Sequence, residues 1–256
     1  MTEKNEEFSF QSAGSKPGLF RNDSIENIIN IGSRKSSCNA QRIFISIMDT
    51  INHALIILVT VYIIYHAAKE YSITSIHVIL CTIGYVLLMS EAIVVLASDN
   101  ILTTFLSRRA NKYLHCILQA VGLILNLVGV SLMYNIQPIH FRSIHGITGF
   151  TSLMITIVAT IFGYPVWIAW KLRKFVRPIV TKLFHNFLGI SGFVIGMISQ
   201  CYGYKKNWIY QVSNIKHVDE ILLVLTVLII ILSLRGALSS LYRQATDCMK
   251  LLRPSI

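Results

Sequence analysis

Four histidines in this sequence have the residue type and the spacing to hold a metal-centred group between helices: His77, His115, His145 and His185. Each stands near the start of a long apolar stretch and heads a stripe at offsets of 4, 7, 11 and 14, the spacing of one helix face. The stripe residues are Cys81, Gly84, Leu88 and Glu91; Gln119, Gly122, Asn126 and Gly129; Gly149, Ser152, Thr156 and Ala159; and Gly189, Gly192, Gly196 and Ser199. All of them except Leu88 are small or polar. An imidazole above a slim face on each of four helices suits a bundle that holds something flat and bulky.

The elements that carry these histidines are predicted to be membrane helices. The chain has 256 residues, of which 54% are hydrophobic and 14% charged, and its mean hydropathy is +0.59. About 20 apolar residues span a bilayer, and six stretches qualify: 45–67, 76–97, 113–134, 144–167, 183–204 and 219–241. They lack the period-two alternation of a membrane barrel, and backbone groups in lipid must be paired internally. The predicted fold class is an all-α membrane protein with six transmembrane helices, whose middle four form a bundle.

The distribution of charge predicts the orientation in the bilayer. The net charge is +11, but the basic residues stand at the helix ends, which argues against a nucleic-acid partner and for a lipid bilayer. With alternating sides, 14 Lys and Arg residues flank the helices on one side and 5 on the other. Both termini are therefore predicted to be cytoplasmic. Arg235, near the inner end of the last helix, is expected to reach the same face.

The sequence divides into a polar tail at residues 1–42, a transmembrane domain at 43–242 and a short tail at 243–256. The first tail is predicted to be disordered and cytoplasmic, since it has no apolar period and no signal-peptide pattern. Asp49, Asn52 and His53 open the first helix as either an interfacial start or a functional group. Glu91 is costly in a membrane and is therefore a functional hypothesis, as a partner of the bound group or of helix three.

Helix direction restricts how the histidines can pair. His77 and His145 lie on helices that run the same way and share a depth on the outer side, whereas His115 and His185 share a depth on the inner side. Zinc needs about four ligands together, and a proton relay needs titratable groups along the span. Haem needs two axial nitrogens from facing helices. A single histidine in a membrane helix is more often a packing residue, and a haem-free transporter or channel with a histidine-lined path remains the alternative.

Several segments of the sequence resemble the cytochrome b561 family: 88–92, 107–109, 115–119, 140–146 and 185–189. The resemblance extends over about residues 45–242. It implies two b-type haems, ligated by His77 with His145 and by His115 with His185, and homodimers. It also implies that electrons pass from cytoplasmic ascorbate to monodehydroascorbate or ferric chelates on the other side. An endoplasmic reticulum or vesicle membrane is the expected location.

The resemblance also suggests where the substrates bind. Family members hold ascorbate with cations near the inner haem, and this chain offers Arg108, Arg109, Lys112 and Lys182 there. Plain positive-inside topology explains each of these cations equally well. On the outer side, Tyr134 and His140 flank the short loop above the outer haem and are the candidates for the acceptor side.

Overall fold

A computed structural model describes residues 19–97, 103, 105–168, 171, 173–175, 177–206 and 208–252, with side chains from residue 40 to residue 251. The elements are α1 (Leu19–Ala67), α2 (Ile73–Cys81), a π-helix named π1 (Thr82–Met89), α3 (Ser90–Val94), α4 (Arg108–Ile136), α5 (Ile144–Trp167), α6 (Pro178–Tyr204), α7 (Trp208–Ser213) and α8 (Val218–Leu252). The described residues contain no β-strand. The predicted all-helical class is confirmed.

Within the part of the chain that the structure describes, six helices are long and apolar enough to cross a membrane: Ala40–Ala67, Ile73–Val94, Arg108–Ile136, Ile144–Trp167, Pro178–Tyr204 and Val218–Leu251. The predicted count of six is therefore confirmed, and the protein is an integral multi-pass membrane protein. The second of these spans joins α2, π1 and α3, and is called the composite helix below. The span Ile144–Trp167 has the predicted bounds, whereas the other five begin before their predicted starts, three of them at Ser72, Ser107 and Pro178, which favour the start of a helix.

Serine side chains cap three of the helices that carry a histidine. Ser72 accepts a hydrogen bond from the Ser75 amide at 3.0 Å, Ser107 from the Ala110 amide at 3.1 Å, and Ser143 from the Gly146 amide at 3.2 Å. An N-cap serine pairs one of the orphan amides that begin a helix. These caps fix where each helix starts, and therefore which way the imidazole that follows it points.

Two helix pairs build the centre of the molecule. The helices α5 and α6 pack along each other, as do the composite helix and α4. Further contacts join α4 to α5 and π1 to α6, and α8 packs outside, against α6 and α3. Buried apolar side chains from several helices form the core, among them Ile63, Tyr85, Met197 and Ile229.

Helix is present at both ends of the chain, in the segments for which tails are predicted. By its internal contacts the chain divides into residues 1–44 and 45–256. In the first unit, helix begins at Leu19 where a disordered tail is predicted, and residues 25, 28 and 29 are isoleucines at helical spacing; residues 1–18 lie outside the described residues. At the other end α8 runs to Leu252, where a tail is predicted from 243. In this part of α8, Gln244 accepts a hydrogen bond from Asn186 of α6 at 3.0 Å.

Candidate bis-histidine sites

The four histidines meet in two pairs, as the helix directions predict. The ring centres of His77 and His145 are 6.0 Å apart with an interplanar angle of 86°. Those of His115 and His185 are 6.4 Å apart at 81°. In each pair one imidazole comes from the composite helix or α4 and the other from α5 or α6. The pairs are called the His77–His145 tier and the His115–His185 tier.

Each imidazole is oriented by a backbone carbonyl of the neighbouring helix. The Nδ1 atom of His77 lies 2.8 Å from the Gly129 carbonyl oxygen, that of His115 2.7 Å from Ala92, that of His145 2.9 Å from Ser199 and that of His185 3.0 Å from Ala159. The scheme is reciprocal, because each helix gives a histidine to one tier and a carbonyl to the other. A carbonyl can only accept, so every Nδ1 carries the proton and donates it. Every Nε2 is left as a free lone pair, the form in which histidine binds a metal.

The separation of the rings fits a metal between two imidazoles. A metal–imidazole bond is about 2 Å long, and a ring nitrogen is roughly 1.1 Å from its ring centre, so two ligands on opposite sides place the centres about 6 Å apart. The observed 6.0 and 6.4 Å agree with that arrangement. Within the described residues, no three His, Cys, Asp or Glu side chains converge as a metal site. The donor set is therefore two nitrogens per tier, which suits a group that brings its own equatorial ligands, as haem does.

The positions of the acceptor carbonyls follow a regular spacing with one exception. The acceptor lies 14 residues after the histidine on α4, α5 and α6, but 15 residues after His77 on the composite helix. The π-helix at Thr82–Met89 accounts for the additional residue. A π-helix is usually an α-helix that has gained one residue, and it turns everything after it relative to what precedes it.

The same π-helix overturns one prediction. Glu91, at offset 14, is expected on the face of the bundle, as a partner of the bound group or of helix three. Its carboxylate instead accepts a hydrogen bond from His53 Nδ1 of α1 at 2.8 Å. The prediction was wrong because the additional residue in π1 puts Ala92, not Glu91, at the position that faces α4.

Most glycines of the predicted slim faces serve close helix packing. A Cβ at Gly84 would overlap the Asn126 side chain, one at Gly129 would lie 2.9 Å from Cys81 Sγ, and one at Gly192 would lie 2.9 Å from Thr156 Oγ1. Gly189 is different, since a Cβ there would meet nothing within 4 Å. It stands four residues after His185, so the open space lies beside the His115–His185 tier. Both meanings of a small residue in a membrane helix, close packing and room for a group, therefore occur here.

Two further glycines contact the imidazoles and were missed in the sequence. A Cβ at Gly203 would lie 3.3 Å from His145 Cε1, and one at Gly163 3.4 Å from His185 Cε1. Each stands four residues after the carbonyl that orients the same imidazole. Both lie at offset 18 from the histidine of their own helix, so extending the stripes by one turn would have found them.

A buried hydrogen-bonded chain lies midway between the tiers. Ser152 Oγ donates to the Gly192 carbonyl at 2.7 Å, so the Tyr85 hydroxyl, 2.9 Å from Ser152 Oγ, donates to Ser152. Ser152 is seven residues from His145 and from Ala159, and Gly192 is seven from His185 and from Ser199. The ring of Tyr85 is 2% exposed and occupies the space that a Cβ at Gly196 would need. Tyr85 therefore joins π1 to both helices of the other pair at mid-depth.

The predicted substrate residues fall at the two ends of the bundle. Arg108, Arg109 and Lys112 are exposed in the first two turns of α4, and Lys182 is exposed in the second turn of α6. All four precede the histidines of the His115–His185 tier in their helices. Tyr134 and His140 come together at the opposite end, with ring centres 3.9 Å apart and planes 8° from parallel.

The fold and the paired imidazoles define a class: helical membrane proteins whose bundle presents two bis-histidine sites at different depths. The family model for eukaryotic cytochrome b561 matches residues 76–211, which include all four histidines and more than half of the chain. The chain belongs to the cytochrome b561 family. That family comprises haem-binding membrane proteins that transfer electrons across the bilayer.

Individual relatives agree with the family match. Transmembrane reductase CYB561D2 of Bos taurus is 26% identical over 158 residues, which cover 58% of this chain and 68% of the relative. The proteins of the same name from Homo sapiens and Mus musculus are 26% and 25% identical over the same length. The resemblance to this family that the sequence predicts is therefore confirmed.

Proposed function

We propose that this protein carries single electrons across its membrane, from ascorbate on the cytoplasmic side to monodehydroascorbate or a ferric chelate on the other. The route uses two b haems, one held by His115 and His185 and the other by His77 and His145. The reductase name of the relatives supports an oxidoreductase of this kind. The chain would then be an ascorbate-dependent transmembrane reductase.

The observation that carries the proposal is the reciprocal set of hydrogen bonds from Nδ1 to carbonyl oxygen. These bonds leave an Nε2 lone pair on each of the two imidazoles of a tier, with ring centres 6.0 and 6.4 Å apart. A path that carried protons would need titratable groups along the span, whereas the helix faces between the tiers carry mainly glycine, serine, threonine and asparagine.

The chain and the bound group have separate tasks. A bound haem would supply the one-electron redox couple, which no side chain here offers. The two imidazoles of each tier would be its ligands, and bis-histidine ligation favours electron transfer over oxygen binding. The carbonyls keep each ring fixed, so little reorganisation accompanies the gain or loss of an electron. Tyr85 and Ser152 keep the two helix pairs at a constant separation between the tiers.

The donor site would lie at the beginning of α4 and α6. Arg108, Arg109 and Lys112 add their charges to the positive end of α4, and ascorbate is an anion at neutral pH. Lys182 stands three residues before His185 and can approach from the second helix. These cations would attract ascorbate and hold it against the edge of the group bound at the His115–His185 tier.

The acceptor site would lie at the opposite end. Tyr134 lies near the end of α4, five residues after Gly129, and His140 lies in the loop before α5, five residues before His145. The stacked rings of these two residues are therefore close in sequence to the His77–His145 tier. The exposed Lys205 and Lys206 directly follow α6 at this end of the bundle. An anionic acceptor, such as monodehydroascorbate or a ferric chelate with carboxylate ligands, suits this surface.

A reduced-minus-oxidised absorbance spectrum of the purified protein tests the proposal directly. Low-spin b-type bands that appear on addition of ascorbate are the expected result. A protein that purifies without visible absorbance, and that moves a solute when reconstituted in vesicles, would establish the transporter alternative instead.

Neutralising Arg109 tests the donor site. One charge-assisted hydrogen bond contributes about 1.5–3 kcal/mol, or roughly ten- to hundredfold in affinity, so Arg109→Ala should slow reduction at low ascorbate while both haem spectra stay intact. Lys216→Ala, which removes an exposed cation from the opposite end, is the matched control and should have no effect. If Arg108, Arg109, Lys112 and Lys182 could all be replaced without changing the kinetics, the donor site would lie elsewhere.

Protease treatment of sealed vesicles with a tag at either terminus tests the proposed orientation. Both tags should be digested only from the cytoplasmic side, because 14 basic residues flank that side against 5 on the other. Homodimers and residence in the endoplasmic reticulum or vesicles stay predictions from the family resemblance.

A further inference from the structure

Six polar side chains meet between α1, α3 and α8, outside the four helices that carry the tiers. Arg235 donates to Asp49 Oδ1 at 2.6 Å, Asn52 Nδ2 donates to Ser233 Oγ at 3.0 Å, and His53 Nδ1 donates to Glu91 Oε1 at 2.8 Å. Asp49, Asn52, His53 and Ser233 are buried. We call these six residues the α1–α3–α8 polar cluster. A cluster of this kind is costly in a membrane protein and marks a functional site.

The cluster is directly attached to the His115–His185 tier. Glu91 is followed by Ala92, whose carbonyl accepts the Nδ1 proton of His115 at 2.7 Å. One peptide unit therefore separates the carboxylate from the group that orients an imidazole of the tier. None of the six residues of the cluster is adjacent in sequence to Gly129 or Ser199, whose carbonyls orient the imidazoles of the His77–His145 tier.

Among the six residues of the cluster, His53 and Glu91 form the pair that can exchange a proton. Asp49 of α1 and Arg235 of α8 neutralise each other, and Asn52 and Ser233 do not titrate. The remaining groups are His53 and Glu91, whose side chains are 10% and 22% exposed, and His115 of α4, whose Nδ1 proton is committed to Ala92. The 2.8 Å between His53 Nδ1 and Glu91 Oε1 lets the two side chains share a proton, and a charge that appears nearby acts on both of them.

We propose that the His53–Glu91 pair is a proton-binding site whose occupancy is linked to the redox state of the His115–His185 tier. The inference rests on the proposed function. When the ascorbate monoanion is oxidised to the monodehydroascorbate radical anion, it gives up one electron and one proton. The electron enters the tier, one proton is taken up by the His53–Glu91 pair from the cytoplasmic side, and the buried region gains no net charge. On passage of the electron to the other tier the pair releases the proton.

A redox titration at several pH values, on the full-length protein with both haems, tests this. In the wild type the midpoint potential of the His115–His185 haem should fall as pH rises between about pH 5 and 8, where imidazole titrates. The steepest slope is about 59 mV per pH unit, which is a tenfold change in a one-electron equilibrium constant per unit. Glu91→Gln and His53→Gln should each remove most of this slope. The potential of the other haem should not respond to either change.

Two controls separate proton binding from a structural role. Glu220→Gln alters an exposed pair of the same type, His217 with Glu220 at 3.5 Å, and should leave the slope intact. Ser233→Ala breaks the bond to Asn52 inside the same cluster without removing a titratable group, and should also keep the slope.

Three results would overturn the proposal: a wild-type potential independent of pH, a slope that survives both Glu91→Gln and His53→Gln, or a slope lost in Ser233→Ala as well. A protein without haem would contradict the proposed function itself, so the two failures are distinguishable.

Discussion

The two helix pairs of the bundle solve the same geometric problem in different ways. In α5 and α6, both helices are α-helical between histidine and carbonyl, and the spacing is 14 residues on each. In the other pair, α4 keeps 14 residues, but the composite helix uses 15 and contains π1. The difference shows that the fixed quantity is the position of an imidazole relative to a carbonyl about 21 Å along the helix, at 1.5 Å per residue. The residue count between them can vary if the helix winding compensates.

Single-residue deletions between histidine and carbonyl should have the largest effect on haem content, and the effect should differ between the two helix pairs. Deleting Met154 from α5 rotates His145 relative to Ala159 by about 100° and shifts it by about 1.5 Å, so both tiers lose an orienting bond and both haems should be lost. Met154 is 45% exposed, so Met154→Ala, which keeps the spacing of 14 residues, should keep both haems. Deleting Ile83 from π1 should instead restore an α-helix with a spacing of 14 and keep both haems. The haem content per protein should be measured for both deletion variants. An equal loss of haem in the two variants would show that π1 does not compensate for the additional residue of the composite helix.

Alanine at the histidines should give the next largest effect, the loss of one haem. Because the tiers join the two helix pairs, His77→Ala and His145→Ala should remove the same haem, and His115→Ala and His185→Ala the other. Spectra and redox titrations of the four variants identify which haem remains. Two low-spin haems in all four variants would show that these residues are not the ligands.

Glycines that touch the imidazoles distinguish the pairs, since only α5 and α6 have them. Gly203→Val should push the His145 ring away from its position and weaken haem binding at the His77–His145 tier by about 10–100-fold, as expected for a disturbed ligand orientation. Gly163→Val should do the same to the other tier, less strongly, because its Cβ would lie 3.4 Å rather than 3.3 Å from the ring. Competition with apo-myoglobin as haem acceptor measures the release from each variant. Release from the wrong tier would contradict the assignment.

Removal of the Tyr85 hydroxyl should have the smallest effect. Tyr85→Phe loses the hydrogen bond to Ser152 but keeps the ring against Gly196, so we expect about 1 kcal/mol less stability toward unfolding in detergent. Both haem spectra should be unchanged. Tyr85→Ala, which also leaves a cavity, should cost several times more. If the two variants were equally unstable, the hydroxyl rather than the ring would hold the pairs together.

The sequence predicts the histidine tiers because hydropathy and helix direction together fix depth. The stripes at α-helical offsets even contain three of the four acceptor carbonyls, at Gly129, Ala159 and Ser199. The fourth is missed by one residue, since nothing local in Thr82–Met89 distinguishes a π-helix from an α-helix. The partners of Asp49, Asn52 and His53 could not be predicted from the sequence, because they come from helices that are distant in the chain. One of them is Arg235, which was expected only to reach the membrane interface and which pairs with Asp49.

The α1–α3–α8 polar cluster also dictates the order in which the protein can be completed during synthesis. His53 and Glu91 are 38 residues apart, so the first helix can join the second almost as soon as both have entered the membrane. Asp49 and Arg235 are 186 residues apart. At about 5–20 residues per second, a ribosome needs roughly 10–40 s to cover that distance. For that time Asp49 has no arginine beside it, and a charge in the bilayer costs about 3 kcal/mol. The contact between the first two helices can therefore form early in synthesis, whereas the ion pair with Arg235 completes the cluster only when α8 arrives.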